Sequence, residues 1–178
     1  MLNISFELTA TTFDDDNLLA SGWGDVRLSP TGMDQAKKLG ERHSGQYMPD
    51  GIFHSDLKSA EQTAAIAFSV KANVMYTDWR LREVNYGDMT SNPLSQVNGQ
   101  KADFVTQPYP NGESYNQLLV RLSGFLNEAN TNWGGKVILI IGGPDIKCGL
   151  DYLLNRTPIE QTVAEPVVWQ PGWTYELA

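Results

Sequence analysis

Short apolar runs alternate along the chain with stretches in which apolar positions recur every three or four residues. Residues 4–8 alternate apolar and polar side chains, as a half-buried strand does. A long loop follows, through Asp14-Asp15-Asp16 and Gly22-Trp23-Gly24. Ser29-Pro30 then opens a helix, because serine caps free N–H groups and proline suits the first helical position. That helix runs to about Ser44-Gly45, with Met33, Ala36, Leu39 and Gly40 on one face. Gly51-Ile52-Phe53-His54 reads as a second strand. Asp56-Leu57 starts a second helix with an apolar stripe of Ala60, Ala64 and Ala67, and Val74-Met75-Tyr76 is a third strand. Residues 82–111, rich in Gly, Asn, Pro and Ser, predict a loop or lid. Residues 113–130 predict a third helix with Leu118, Leu119, Leu122 and Leu126 facing in.

Residues 137–141 are five consecutive apolar side chains, which suits a strand covered on both faces of a parallel sheet. Gly142-Gly143-Pro144 turns the chain into a fourth helix over residues 145–154, and residues 163–177 supply one or two further strands. Alternating strands and helices predict an α/β fold, a three-layer α/β/α sandwich with a mostly parallel sheet, as a single domain over residues 1–178. In such sheets ligands sit outside the carboxyl ends of the strands. Candidate chemistry therefore lies in residues 9–12, 55–59, 81–83 and 142–144.

Composition narrows the function classes. The net charge is −8, from 21 acidic and 13 basic residues, and no Lys/Arg-rich run exists. Such a surface repels nucleic acid backbones and anionic membranes, so neither is an expected partner. Cys148 is the one cysteine, which precludes an internal disulfide and reads as a buried small hydrophobe. The N-terminus lacks a basic stretch followed by an apolar run, and no segment reaches the roughly 20 apolar residues of a span. A cytoplasmic location is expected. The Asp14-Asp15-Asp16 run lacks the spacing of a calcium loop and reads as exposed polar loop; no metal and no cofactor are expected.

Several segments, in order, resemble the histidine phosphatase superfamily, the phosphoglycerate mutase-like clan. Gly22-Trp23-Gly24-Asp25-Val26-Arg27-Leu28-Ser29-Pro30-Thr31-Gly32 with Gln35-Ala36 is similar to its G-W-x-D-x-P-L-T-x-x-G-x-x-Q-A stretch. Residues 55–64 are similar to S-D-L-x-R-A-x-Q-T-A. Leu81-Arg82-Glu83 with Tyr86-Gly87-Asp88 is similar to L-R-E-x-x-x-G-D, and Gly112-Glu113-Ser114 with Arg121 is similar to G-E-S…R. Residues 137–143 stand where the family carries a strand followed by H-G. The resemblance implies phosphoryl transfer to a histidine clamped by arginines and a second histidine, because charge on the transferring oxygens must be stabilised. It implies a carboxylate in the L-R-E segment that protonates the leaving oxygen.

The sequence departs from that pattern at each cationic position. Aligned from Trp23 without a gap, the R-H-G-E motif falls on Leu8-Thr9-Ala10-Thr11, the clamp arginine on Ser59 and the second histidine on Gly142. Glu83 alone matches its counterpart. Residues 1–26 contain no His, Arg or Lys, so no shift of register restores the cradle. His43 reads as packing or surface; His54, ending the second strand, is a secondary catalytic candidate bordering the pocket. Lys58, Arg80, Arg82 and Lys147 are the cations to weigh for residual charge. The expected pocket is polar: hydroxyls from Thr9, Thr11, Thr12 and Ser59, with Arg82 nearby, and free N–H groups after Gly142-Gly143 that favour an anionic or carbonyl oxygen. Glu83, without cationic neighbours, is expected to have a raised pKa and to act as general acid or base on a small molecule, in an isomerisation, dehydration or cyclisation. The alternative is a non-catalytic pseudophosphatase that binds a small molecule, a protein partner or a second copy of the chain, with Trp133, Trp169, Trp173 and Tyr175 as interface candidates. Residual phosphatase or mutase activity ranks third.

Overall fold

Among the described residues of the computed structural model, 1–44 and 48–178, the strands are β1 (Leu2–Leu8), β2 (Gly51–His54), β3 (Met75–Thr77), β4 (Val137–Gly142) and β5 (Trp173–Leu177). They form one sheet in the order β3-β2-β4-β1-β5. β1 and β2 both pair in parallel with β4, and β3 pairs in parallel with β2. Only β5, at the edge beside β1, runs antiparallel. The helices are α1 (Phe13–Asp16), α2 (Pro30–His43), α3 (Lys58–Phe68), α4 (Leu94–Gln100), α5 (Tyr115–Trp133), α6 (Pro144–Asn155) and α7 (Ile159–Ala164).

The period-two geometry of β4 builds the layers. Ile138 and Ile140 join Leu2, Ile4 and Phe6 of β1 in a cluster with Leu118, Leu122 and Phe125 of α5 and Ile146 and Leu150 of α6. Leu139 and Ile141 point the other way, to Leu39 of α2 and Ala64 and Phe68 of α3. Helices thus cover both faces of a mostly parallel sheet, as the apolar run of β4 requires. Leu118 and Leu122 are fully buried; burying a leucine side chain contributes about 1.5–3 kcal/mol. The helices begin where their caps direct. Ser29 accepts a hydrogen bond from the Gly32 N–H, and Ser114 forms a reciprocal capping box with Gln117.

Several expectations need correction. The segment 82–111 is not structureless: it contains short 3-10 turns and α4, and it buries Val84, Tyr86, Met89, Val97, Val105 and Tyr109 in the main core. Those apolar anchors, spaced irregularly among polar residues, hold the turns that local sequence does not encode. α1 interrupts the loop after β1, held by a capping box between Thr12 and Asp15, so the acidic run is the first turn of a short helix. α7 lies mostly in a stretch for which no element was expected, and its last two residues fall where strands were expected. Met33 is 41% exposed rather than part of the buried face of α2. Gly45, the expected end of that helix, lies outside the described residues. Trp133 packs against Phe53 and Tyr76, Trp173 packs against Phe6, and Tyr175 is buried; of the four aromatic interface candidates only Trp169 is exposed. Among the described residues, no helix is long and apolar enough to cross a membrane.

Candidate functional site

The carboxyl ends of β1 and β4 lie side by side, with Leu8 paired to Gly142, and the Thr9 N–H donates to the Gly142 carbonyl at 2.8 Å. Beyond these ends opens a cavity of about 1040 Å³. Its wall brings together Thr9, Thr11, Thr12, Ser59, Glu83, Gly142 and Gly143 from four separate segments. His54 and Arg82 are not part of that wall. His54 is buried at the end of β2, with Nδ1 2.8 Å from the Ser55 carbonyl oxygen. Arg82 points away: its guanidinium donates to Asp56, at 2.7 Å from Nε, and lies 4.5 Å from the centre of the Trp23 ring.

Of the other cations weighed from the sequence, Lys58 is not part of the cavity wall, and Arg80 and Lys147 are engaged elsewhere. Arg80 pairs with Asp78 and Glu128, and Lys147 pairs with Asp151. Arg42, which lines the cavity, and His43, which does not, reach the buried carboxylate of Glu7 at 2.9 and 3.1 Å, and the Arg42 guanidinium also lies over the Trp169 ring. The cavity lining also includes two lysines that sequence reasoning did not single out, Lys38 and Lys101, of which Lys101 is the buried one.

Glu83 is held with unusual care for a side chain in a turn. Its backbone carbonyl accepts hydrogen bonds from Trp23 Nε1 at 2.7 Å and Arg121 Nη2 at 2.8 Å. Arg121 also donates to the carbonyls of Arg80 and Arg82 and to the Glu113 carboxylate, so the whole Leu81-Arg82-Glu83 turn hangs on one guanidinium. This explains physically why the G-E-S…R residues accompany the L-R-E residues in this chain. The Glu83 carboxylate reaches the first turn of α6, accepting from the N–H groups of Asp145 at 3.2 Å and Ile146 at 3.4 Å. The N–H groups expected to be free are therefore occupied by the protein's own carboxylate. Gly143 makes room for it: a Cβ there would stand 2.6 Å from each carboxylate oxygen.

Beneath Glu83 lies a buried hub that the sequence reading missed. Asp145 is fully buried. It accepts hydrogen bonds from Tyr86 Oη at 2.7 Å, Tyr115 Oη at 2.8 Å, Lys101 Nζ at 3.1 Å and the Val84 N–H at 3.4 Å. Burial opposes its ionisation, but the Lys101 charge and the tyrosine hydroxyls outweigh that and lower its pKa. Glu83 behaves oppositely. Burial, then the negative charge of Asp145, pushes its pKa up to about 8 against the weaker pull of the helix N–H groups and Lys101. Two neighbouring carboxylates thus divide into an ionised one and one that gains or loses its proton near neutrality. The arrangement can transfer a proton to or from a ligand in the cavity. Cys148 also touches the cavity, but burial pushes its thiol up to about 12, which suits a packed side chain rather than a nucleophile.

The family model of the histidine phosphatase superfamily (branch 1) matches residues 10–164. The probable phosphoglycerate mutase GpmB of Yersinia pestis is 30% identical over 146 residues, covering 75% of this chain. This chain spans only 66% of the length of that relative, about two thirds. Among solved structures, YhfR of Bacillus stearothermophilus superposes with a TM-score of 0.84 at 21% identity, over 100% of this chain and 92% of that one. A mycobacterial glucosyl-3-phosphoglycerate phosphatase superposes with a TM-score of 0.79 at 21% identity, over 91% of this chain and 86% of that one. At such identities the structural likeness speaks for the fold: an α/β sandwich with a mostly parallel sheet.

Proposed function

The chain belongs to the histidine phosphatase superfamily (branch 1), and we propose that the cavity at the carboxyl ends of its β1 and β4 performs acid–base chemistry on a neutral small molecule, with Glu83 as the group that gives and takes the proton. The observation that carries this reading is the placement of the Glu83 carboxyl against the first turn of α6, above ionised Asp145, where its pKa rises to about 8. A positioned acid or base poised near the working pH contributes about 10²–10⁴-fold to rate. Isomerisation, dehydration and cyclisation all fit such a group.

Phosphoryl transfer fits less well. Thr9, Ser59 and Gly142 supply neither imidazole nor guanidinium at the strand ends, and the helix N-terminus that attracts a phosphate is already taken by Glu83. A phosphatase or phosphoglycerate mutase activity of the kind named for the relatives therefore ranks below the acid–base reading. Incubation of the purified protein with 4-nitrophenyl phosphate tests this directly: no release above buffer is expected, and turnover that disappears in Glu83→Gln would overturn the reading. Carbon-13 NMR of the Glu83 carboxyl is the positive test, with a midpoint near 8 expected. A midpoint near 4.5 would remove the reason to assign it acid–base work.

One observation favours a second reading, a non-catalytic binding protein. Trp169, which lines the cavity, and the neighbouring Val168 are 62% and 78% exposed, a surface for a small molecule, a protein partner or a second copy of the chain. Concentration-dependent sedimentation, altered by Trp169→Ser and not by Glu83→Gln, would favour it over an enzyme.

A further inference from the structure

Proton abstraction from carbon leaves negative charge behind, and a site that performs it needs a donor aimed at the atom that receives the charge. Lys101 meets that description. It follows α4 directly and begins the 3-10 turn Lys101–Phe104. Its side chain is 12% exposed, lines the cavity, and places Nζ 3.1 Å from Asp145 Oδ1. An ammonium has three N–H donors; among the described residues one is used. Asp145 is itself held by Tyr86, Tyr115 and the Val84 N–H, so it fixes the ammonium in place. The charges of Lys101 and Asp145 cancel, and Glu83 is largely neutral below its raised pKa. Lys101 therefore offers donors beside Glu83 without adding net positive charge there; Lys38 and Arg42, the other cations of the lining, belong to α2, and Arg42 is paired with Glu7. Leu8, Ala10, Leu81 and Pro144 supply apolar wall around it. That combination disfavours a phosphate dianion and suits a carbonyl oxygen carried on a largely apolar body.

We propose that Lys101 is the oxygen-binding residue of the cavity: its remaining donors hold the carbonyl oxygen of a neutral ligand whose neighbouring carbon lies against the Glu83 carboxyl. This rests on the acid–base reading of Glu83. In the step, ionised Glu83 takes a proton from that carbon. The C–H electron pair becomes a C=C bond, the carbonyl π pair moves onto oxygen, and Lys101 holds the enolate oxygen. Return of the proton from Glu83 to that oxygen completes a keto–enol isomerisation with no other reactant.

The test uses 4-nitrophenolate, an aryl oxyanion that imitates the enolate, and nitrobenzene, the same ring without the oxygen. A hydrogen bond between charged partners contributes about 1.5–3 kcal/mol, or roughly ten- to a hundredfold in affinity. Nitrophenolate is therefore expected to bind the wild-type protein about tenfold or more tighter than nitrobenzene, with Lys101→Met abolishing the difference and Lys101→Arg keeping part of it. Lys101→Met leaves Asp145 unpaired and can fail to fold. Asp145→Asn compared with Asp145→Asn/Lys101→Met reads the same preference without a stranded charge. Equal affinities for the two probes, undetectable nitrophenolate binding, or an undiminished preference without Lys101 would overturn the proposal. The carboxyl NMR titration separates the two ideas. A Glu83 midpoint near 8 with no Lys101 effect removes only the lysine, whereas a midpoint near 4.5 with intact nitrophenolate binding removes the acid–base reading and leaves an oxygen-binding ammonium.

Discussion

The raised pKa of Glu83 makes stability depend on pH in a direction that ordinary surface carboxylates do not. The unfolded chain holds this proton with a pKa near 4.5, the folded protein with one near 8. Between those values the folded state binds more protons than the unfolded state, so stability falls as pH rises. The contribution is fully present below about 4.5, is lost progressively, and is flat again above about 8. At full weight the slope is about 1.4 kcal/mol per pH unit. Moving from pH 6 to pH 7.5 should then cost on the order of 2 kcal/mol from this group. Asp145, whose pKa is lowered, acts the other way: its contribution is present above its ordinary value and lost only as pH falls below it, outside this window. Urea denaturation at pH 6.0, 6.75 and 7.5, in wild type and in Glu83→Gln, isolates the effect, because glutamine keeps the shape and has no proton to lose. The wild-type free energy should decline across the series relative to the variant. Parallel pH dependences would refute the claim that Glu83 is desolvated beside an ionised Asp145.

Other variants probe how that carboxyl is held. Gly143→Ala places a methyl 2.6 Å from both Glu83 oxygens and should push the carboxyl off α6, lowering its midpoint toward 4.5 in the NMR titration and flattening the pH slope. Arg121→Met removes the clamp on three carbonyls and strands Glu113; breaking a buried pair costs about 3–5 kcal/mol, to be read as a fall in denaturation midpoint. Tyr115→Phe deletes one donor to the fully buried Asp145 and should cost roughly 1–3 kcal/mol, with the methyl-bearing core of α5 unchanged by NMR.

The strand ends were readable in advance because strong local patterns specify them. Gly51-Ile52-Phe53-His54 forms its strand with the expected limits, and the five apolar residues of β4 could be satisfied only with helices on both sides. Thr9, Ser59, Glu83 and Gly142 meet at one wall because Thr9 directly follows β1, Gly142 ends β4, and Ser59 and Glu83 lie a few residues beyond β2 and β3. Lys101 and Asp145 had no such signal. Lys101 lies in a polar stretch whose turns are held by distant apolar anchors, and its partner is 44 residues away. An aspartate after Gly-Gly-Pro reads locally as a favourable charge in a helix's first turn. Only its four donors, drawn from three other segments, reveal a buried anion.

Those long-range donors decide the chemistry of the neighbouring residue. A helix N-terminus by itself would pull a carboxylate's pKa down, since its N–H groups favour the charged form. Glu83 rests on such a terminus and yet shifts upward, because burial and the permanent charge of Asp145 exceed the pull of two long hydrogen bonds. Asp145 can exert that effect only while two tyrosine hydroxyls and an ammonium keep it ionised. The proton affinity of Glu83 at the cavity wall is thus set by buried Asp145 and by the three side chains that keep it ionised. Changing Thr9 or Ser59 alters only what the cavity contacts, whereas changing Tyr86, Lys101 or Tyr115 also alters the pH at which the Glu83 carboxyl titrates.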